Sequence, residues 1–279
     1  MILAIFVDPP RIAFHLPFIQ YPIAWYGVFF AFGFWLALRL FSILCDWRPF
    51  TTLPGSYLSE KIVNYMMVGI VFGARLFHIV FYEPLDATMQ DPWKLFRFWE
   101  GGLASHGGIL CSVLATLAFV RHYRVPFFKL MDRIFPCGML MGGCIRLGNF
   151  MNQEILGLKT LLPWGVVFQN PQSLMDYGIY PRHPVQIYES LFYFALALLG
   201  LALLKKNART GVVAFVLTIS MSLGRFFVEF IKEDQSVHTV GLYLNMGQIL
   251  SLPMLLVGLG GLAFALNDRL KEPFGRRIS

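Results

Sequence analysis

Arg146, Asn149 and Asn152 recur at every third position of an otherwise apolar run, and Glu154 follows just past them. On a helix that spacing turns the three polar side chains to roughly one side. A fixed positive charge and amides inside an apolar segment are costly unless they face a cavity or a partner. Glycines at 142, 143, 148 and 157 let backbone or ligand come close to them. The stretch reads either as an arginine that snorkels to a lipid headgroup or as an anion-recognition site, because a guanidinium presents a planar fork that matches phosphate and never loses its charge.

Other groups have the same character. Arg225 and Glu229 stand four apart, on one helical face. They read either as a buried neutralising pair or as an arginine held by Glu229 while it contacts a phosphate. Arg75 follows Gly73-Ala74 and reads equally as a structural partner of Glu83 or Glu229 and as a site residue. His106 lies between Gly101-Gly102 and Gly107-Gly108, where it is either a satisfied structural histidine or a base. No second His or carboxylate stands at ligand spacing beside it, so no metal site is expected. The segment His183–Glu189 opens an apolar run, with Gln186 and Glu189 on a shared face and His183 read as an interface residue. Trp25 suits an interfacial aromatic belt, while Tyr26, followed by a glycine, is a candidate for the pocket.

The elements that must position these groups are membrane helices. The chain has 279 residues, is 57% hydrophobic and only 14% charged, and has a mean hydropathy of +0.61. Soluble domains carry about 25% charge. The formal net charge of +7 lies in short loops beside apolar runs, so it reads as topology charge and nucleic acid is not an expected partner. The four cysteines lack metal-ligand spacing and are read as buried thiols. The opening apolar residues stop at Asp8-Pro9-Pro10, which does not look like a cleavable signal.

Runs long enough to span, at about 20 residues each, fall near 21–44, 62–82, 103–120, 130–150, 185–204, 211–231 and 246–266. The expected fold is therefore all-α: one integral membrane domain of seven transmembrane helices. With the N-terminus outside and the C-terminus cytoplasmic, twelve Lys and Arg fall in cytoplasmic segments and six outside, the bias of a positive-inside topology. The long polar loop 151–184 would then form a small outer-face cap or lid.

Depth adds a second regularity. Arg146 would lie about 24 Å along an outward-running helix, and Arg75 and Arg225 about 20 Å along theirs. Tyr26, His106, Gln186, Glu189 and Gln248 lie near the starts of inward-running helices. The intramembrane polar groups would gather in the outer half of the bilayer. A transporter would need polar groups through its full depth or at the midplane. A retinal protein would need a lysine in the last helix, which has none. Metal-dependent alcohol phosphotransfer would need a carboxylate cluster. Another outer-leaflet phospholipid-headgroup transferase is left open by these arguments.

Several motifs together resemble the prolipoprotein diacylglyceryl transferase family: Ala24–Gly27, Gly73–Leu76, Gly101–Gly108, Arg146–Glu154, His183–Glu189, Arg225–Glu229 and Met246–Pro253, in the family's order and covering roughly residues 20 to 255. The chain departs from the family pattern at Gln153, usually Gly, at Leu156, usually Trp, and at Met221, near an expected Tyr. After Glu229, Phe-Ile-Lys-Glu-Asp-Gln stands where the family has Phe-Phe-Arg-x-Pro-Asp. The resemblance implies transfer of the sn-1,2-diacylglyceryl group of phosphatidylglycerol to the lipobox cysteine in the signal peptide of a bacterial prolipoprotein. It implies no cofactor and no metal, a multi-pass protein of the cytoplasmic (inner) membrane, and an active site toward the outer leaflet. It implies catalytic roles for His106, Arg225 and Tyr26, with His106 as base. It implies substrate-binding roles for Arg146, Asn149, Glu154, Gly157, Glu229 and Arg75, with the two glutamates orienting the arginines.

Overall fold

The computed structural model describes residues 5–18, 20–82, 93, 96, 97, 105–233 and 244–267. The long helices, in chain order, are α1 (Trp25–Trp47), α2 (Gly55–Tyr82), α3 (Ser105–Tyr123), α4 (Phe127–Asn152), α6 (Val185–Lys205), α7 (Val212–Val228) and α8 (Met246–Leu266). Short α5 (Pro171–Tyr177) lies in the loop after α4, and a 3-10 turn (Glu229–Ile231) continues α7. Six of these helices, the α7 span taken with its 3-10 turn, are long and apolar enough to cross a membrane, and Leu110–Tyr123 of α3 is a shorter apolar helix. The chain is a membrane bundle of helices.

Helix ends follow local chemistry more than hydropathy. Helix α2 begins at Gly55, earlier than the apolar run, because the Asp46 carboxylate accepts from the Gly55 N–H at 2.7 Å and satisfies an orphan donor of the first turn. Helix α8 starts with a capping box in which Asn245 and Gln248 exchange side-chain and backbone bonds at 2.9 and 3.1 Å. The buried Asp132 of α4 accepts from the N–H groups of Gly211 and Ala214 at 2.7 and 2.9 Å, capping α7 from a different helix. Asp132→Ala should leave those donors unpaired and lower stability by about 1–3 kcal/mol. A fall in the thermal midpoint of the purified protein would show it, and an unchanged midpoint would dismiss the cap.

The chain divides into two compact units, one built from Met1–Leu40 and Met131–Lys271, the other chiefly from Phe41–Leu130. In the second unit α2 packs closely on α3. A Cβ added at Gly73 would lie 2.3 Å from the Cys111 Cβ, and one at Gly107 would lie 2.2 Å from the Gly73 carbonyl oxygen. Small residues are what let membrane helices approach at this range.

In the first unit α1 meets α4, where a Cβ at Gly33 would lie 2.6 Å from the Cys144 Cβ, and α4 bonds α6 through Ser190 Oγ to the Gly143 carbonyl at 2.9 Å. Among the described residues four short strands, absent from the all-α expectation, belong to it. β1 (Ile5–Val7) pairs in parallel with β4 (Val166–Phe168), and β2 (Ile12–His15) pairs antiparallel with β3 (Pro22–Ala24). Leu156 is buried beneath β4 with Val166 and Phe168, against Val7 and Phe150. An aliphatic side chain thus fills core space at the position where the family usually has Trp.

Candidate active site

The site is built in the first unit around the C-terminal part of α4. A cavity of ≈380 Å³ is lined by Arg146 and Asn149 of α4, Tyr26 from the first turn of α1, Ile155, Tyr193 of α6 and Met221 of α7, among others. Tyr26 rests on Gly148, where an added Cβ would lie 3.0 Å from its ring. The three-residue spacing works as expected. Arg146 Nη1 donates to Asn149 Oδ1 at 3.3 Å, and Asn149 Nδ2 donates to Glu154 Oε1 at 2.8 Å, with Asn152 Nδ2 at 3.5 Å from the same oxygen.

Glu154 does not pair with Arg146 directly; Asn149 stands between them. The ionic partner of Arg146 is Glu189 of α6, with Nε to Oε2 at 2.9 Å and the Glu189 side chain only 3% exposed. Glu189 Oε1 lies 3.6 Å from Lys232 Nζ, and Lys232 Nζ lies 3.4 Å from Glu229 Oε1. Glu229 in turn lies 3.8 Å from Arg225 Nη2 and accepts from Asn245 Nδ2 at 3.2 Å. Cations and carboxylates therefore alternate from Arg225 to Glu189 and Arg146, and each buried charge has an opposite neighbour, which burial requires. Arg146 has five N–H donors, gives one to Asn149 and meets Glu189 as an ion pair, so its guanidinium keeps donors for an anion in the cavity it lines.

Lys232, one of the six basic residues expected outside, belongs to this site and is not singled out by the sequence motifs. It is drawn in by backbone pairing around Gly157. Glu233 N donates to Leu156 O at 3.0 Å, Leu158 N to Ile231 O at 2.9 Å, and Gly157 bridges Lys232. On the other side His183 N donates to Leu158 O at 3.0 Å. Buried Arg182 clasps both flanks, donating to Gly157 O at 2.8 Å and pairing with Glu233 at 2.6 Å. Two signals pointed to Lys232: it stands three residues after Glu229, and it falls where the family pattern has Arg.

Gly157 is thus a structural crossing. A Cβ there would lie 2.4 Å from the backbone oxygen of His183, which has no cheap way to retreat. Gly157→Ala is expected to push the 156–159 segment off the site and reduce turnover by about tenfold or more. A kinetic assay with full activity in this variant would refute that reading.

The remaining candidates lie in the second unit. Arg75 of α2 is buried. Glu83, one partner considered for it, lies outside the described residues. His106 stands in the first turn of α3, and its side chain lies outside the described residues. Among the described residues there is no group of three or more His, Cys, Asp or Glu able to hold a metal ion.

The family described as prolipoprotein diacylglyceryl transferase matches residues 11–264. The chain belongs to the prolipoprotein diacylglyceryl transferase family. Relatives named phosphatidylglycerol–prolipoprotein diacylglyceryl transferase agree with that membership. The chain is similar to one from Tolumonas auensis, 40% identical over 245 residues, covering 85% of this chain and 90% of the relative. One from Chlamydia muridarum is 36% identical over 273 residues, 93% and 94% of the two chains. One from Chloroherpeton thalassium is 38% identical over 241 residues, 85% of each. Beside the pattern of prolipoprotein diacylglyceryl transferases, Met221 is seen to line the cavity near the place where a tyrosine is expected, so this wall of the pocket is apolar here.

Proposed function

We propose that this chain transfers the diacylglyceryl group from phosphatidylglycerol to a prolipoprotein, the first step of lipoprotein maturation, and that the cavity beside Arg146 is where the phosphate is held. The reading rests on one observation above the others: a guanidinium fixed by Glu189 and Asn149 opens on a cavity of ≈380 Å³ with Tyr26 beside it.

The acceptor is the lipobox cysteine. Its thiol gives up a proton, the sulfur attacks the glycerol carbon that bears the phosphate, a C–S bond forms and the C–O bond breaks. The electron pair leaves with glycerol phosphate. A thiolate is the effective nucleophile, and a histidine near neutral pKa is suited to take the proton. His106 is assigned that role from the sequence. Charge that grows on the departing phosphate is best met by preorganised donors. Arg146 and Arg225 supply it, Asn149 donates to the phosphate or headgroup glycerol, and Tyr26 hydrogen-bonds the substrate. Glu189, Glu229 and Lys232 hold the cations apart and in place. Arg75 is assigned to substrate binding. The chain is a multi-pass membrane protein. We further infer seven spans in one bacterial inner-membrane domain, with N-terminus outside, C-terminus cytoplasmic, loop 151–184 as an outer cap and the site toward the outer leaflet.

The test uses the protein in vesicles of phosphatidylglycerol or of phosphatidylethanolamine, with a lipobox peptide, read by mass. A diacylglyceryl gain on the cysteine in phosphatidylglycerol alone is expected. No gain with folded protein would move the chain to another headgroup chemistry, and equal gain from either lipid would refute phosphatidylglycerol as the selected donor.

A further inference from the structure

We infer that Gln153 is a positioning residue for the transfer, latching the turn that carries Glu154 to two distant segments. The inference rests on the site reading above. Gln153 has a φ of +55°, in the left-handed region that favours glycine, and glycine is what the family pattern usually has there. Ile155 follows at φ +60°, so Glu154 sits between two left-handed residues with side chains. Local preference argues against this turn, and something must hold it.

The side chain of Gln153 does so. It is only 4% exposed. Its Oε1 accepts from the Asn170 N–H at 2.7 Å, at the point where Asn170 caps α5. Its Nε2 donates to Asp8 Oδ1 at 3.4 Å, just beyond β1. Its backbone carbonyl accepts from Ser173 Oγ at 2.8 Å. Both ends of the amide are engaged, and they point in opposite senses, one accepting and one donating. The next residue, Glu154, holds Asn149 at 2.8 Å, and Asn149 holds Arg146. Rotation of the turn would be passed to the guanidinium through two hydrogen bonds.

A second cavity, ≈410 Å³, lined by Asp8, Arg11, Met151, Gln153 and Asn170 among others, lies on this side of the turn. It leaves room for the turn to move when the amide is removed. In this chain the latch takes the place of glycine's freedom, selecting one turn geometry.

The experiment measures kcat and KM for phosphatidylglycerol in vesicles, with thermal midpoints. Gln153→Gly removes the latch while easing the backbone. It should lower kcat about tenfold, with KM and the midpoint unchanged. An unchanged kcat, or a loss of kcat matched by a loss of midpoint, overturns the inference. Gln153→Glu keeps the acceptor for Asn170 but sets a carboxylate against Asp8. It should also lower kcat, and adding Asp8→Asn should return most of it by restoring a donor across that contact. Failure of that rescue overturns the inference even if Gln153→Gly does not fold. Arg146→Ala in the same vesicles separates the two readings. Activity lost there but full in Gln153→Gly refutes the latch alone; full activity in both refutes site and latch together.

Discussion

Arg146→Ala is expected to reduce the rate of diacylglyceryl transfer by about 10²–10³-fold, the usual cost of removing one preorganised donor to developing charge. Two losses combine. On the site proposed above the leaving phosphate loses a guanidinium donor, and buried Glu189 loses its partner at 2.9 Å. The second loss alone perturbs the pocket, because a carboxylate 3% exposed is left with the Lys232 ammonium at 3.6 Å as its nearest cation. Arg146→Lys separates the two effects. It preserves the charge beside Glu189 but gives up the planar fork, so the fold should survive while kcat stays low. Steady-state kinetics with thermal midpoints on both variants decide the matter. Wild-type kcat in Arg146→Lys would mean that charge alone is used and that phosphate geometry is not read by this residue.

Lys232→Met should be the most destabilising single change at the site. Its ammonium lies within 3.6 Å of Glu189 and 3.4 Å of Glu229, and all three side chains are less than a tenth exposed. Removing it leaves two buried carboxylates facing one another across an apolar side chain. Breaking a buried pair in this way costs about 3–5 kcal/mol, here moderated by Arg146 and Arg225 on the far sides. Lys232→Arg restores charge and should recover stability. Adding Glu189→Gln to Lys232→Met should cost less than the two changes measured singly, since neighbours in one charged network couple. Chemical denaturation in detergent reads the four variants beside the wild type. Additive costs would mean that the chain of contacts is not a network.

The sequence made the α4 motif legible because its logic is local. A three-residue spacing on a helix is enough to place Arg146 and Asn149 on one cavity, and a four-residue spacing is enough for Arg225 and Glu229. The same holds for the helices, whose apolar runs recur within a few residues in the structure. What sequence could not supply depends on register between distant segments. The three-residue spacing brings Lys232 to Glu229, but its approach to Glu189 comes with the pairing of residues 231–233 to 156–158, which no spacing within the chain announces. Glu154 reaches Arg146 through Asn149, while the direct ion pair with Glu189 joins two helices and has no local spacing. Strands of three or four residues leave no period to detect. Gln153, noted only as a departure from a family glycine, is explained by contacts to residues far away in the chain.

The parallel pairing of β1 with β4, Ile5 with Val166 through Val7 with Phe168, has a consequence for biogenesis. The two strands are about 160 residues apart in the chain, with four long helices between them. Synthesis at roughly 5–20 residues per second leaves the first strand waiting on the order of ten seconds or more for its partner. Asp8 waits as long for Gln153. The intervening helices are made before either contact can form, so the contacts that hold the Gln153 turn are assembled late, from segments synthesised far apart in time. Newly inserted chains should lack the Asp8–Gln153 contact until both segments are in place, and if the proposed latch operates, competence for transfer should lag behind insertion.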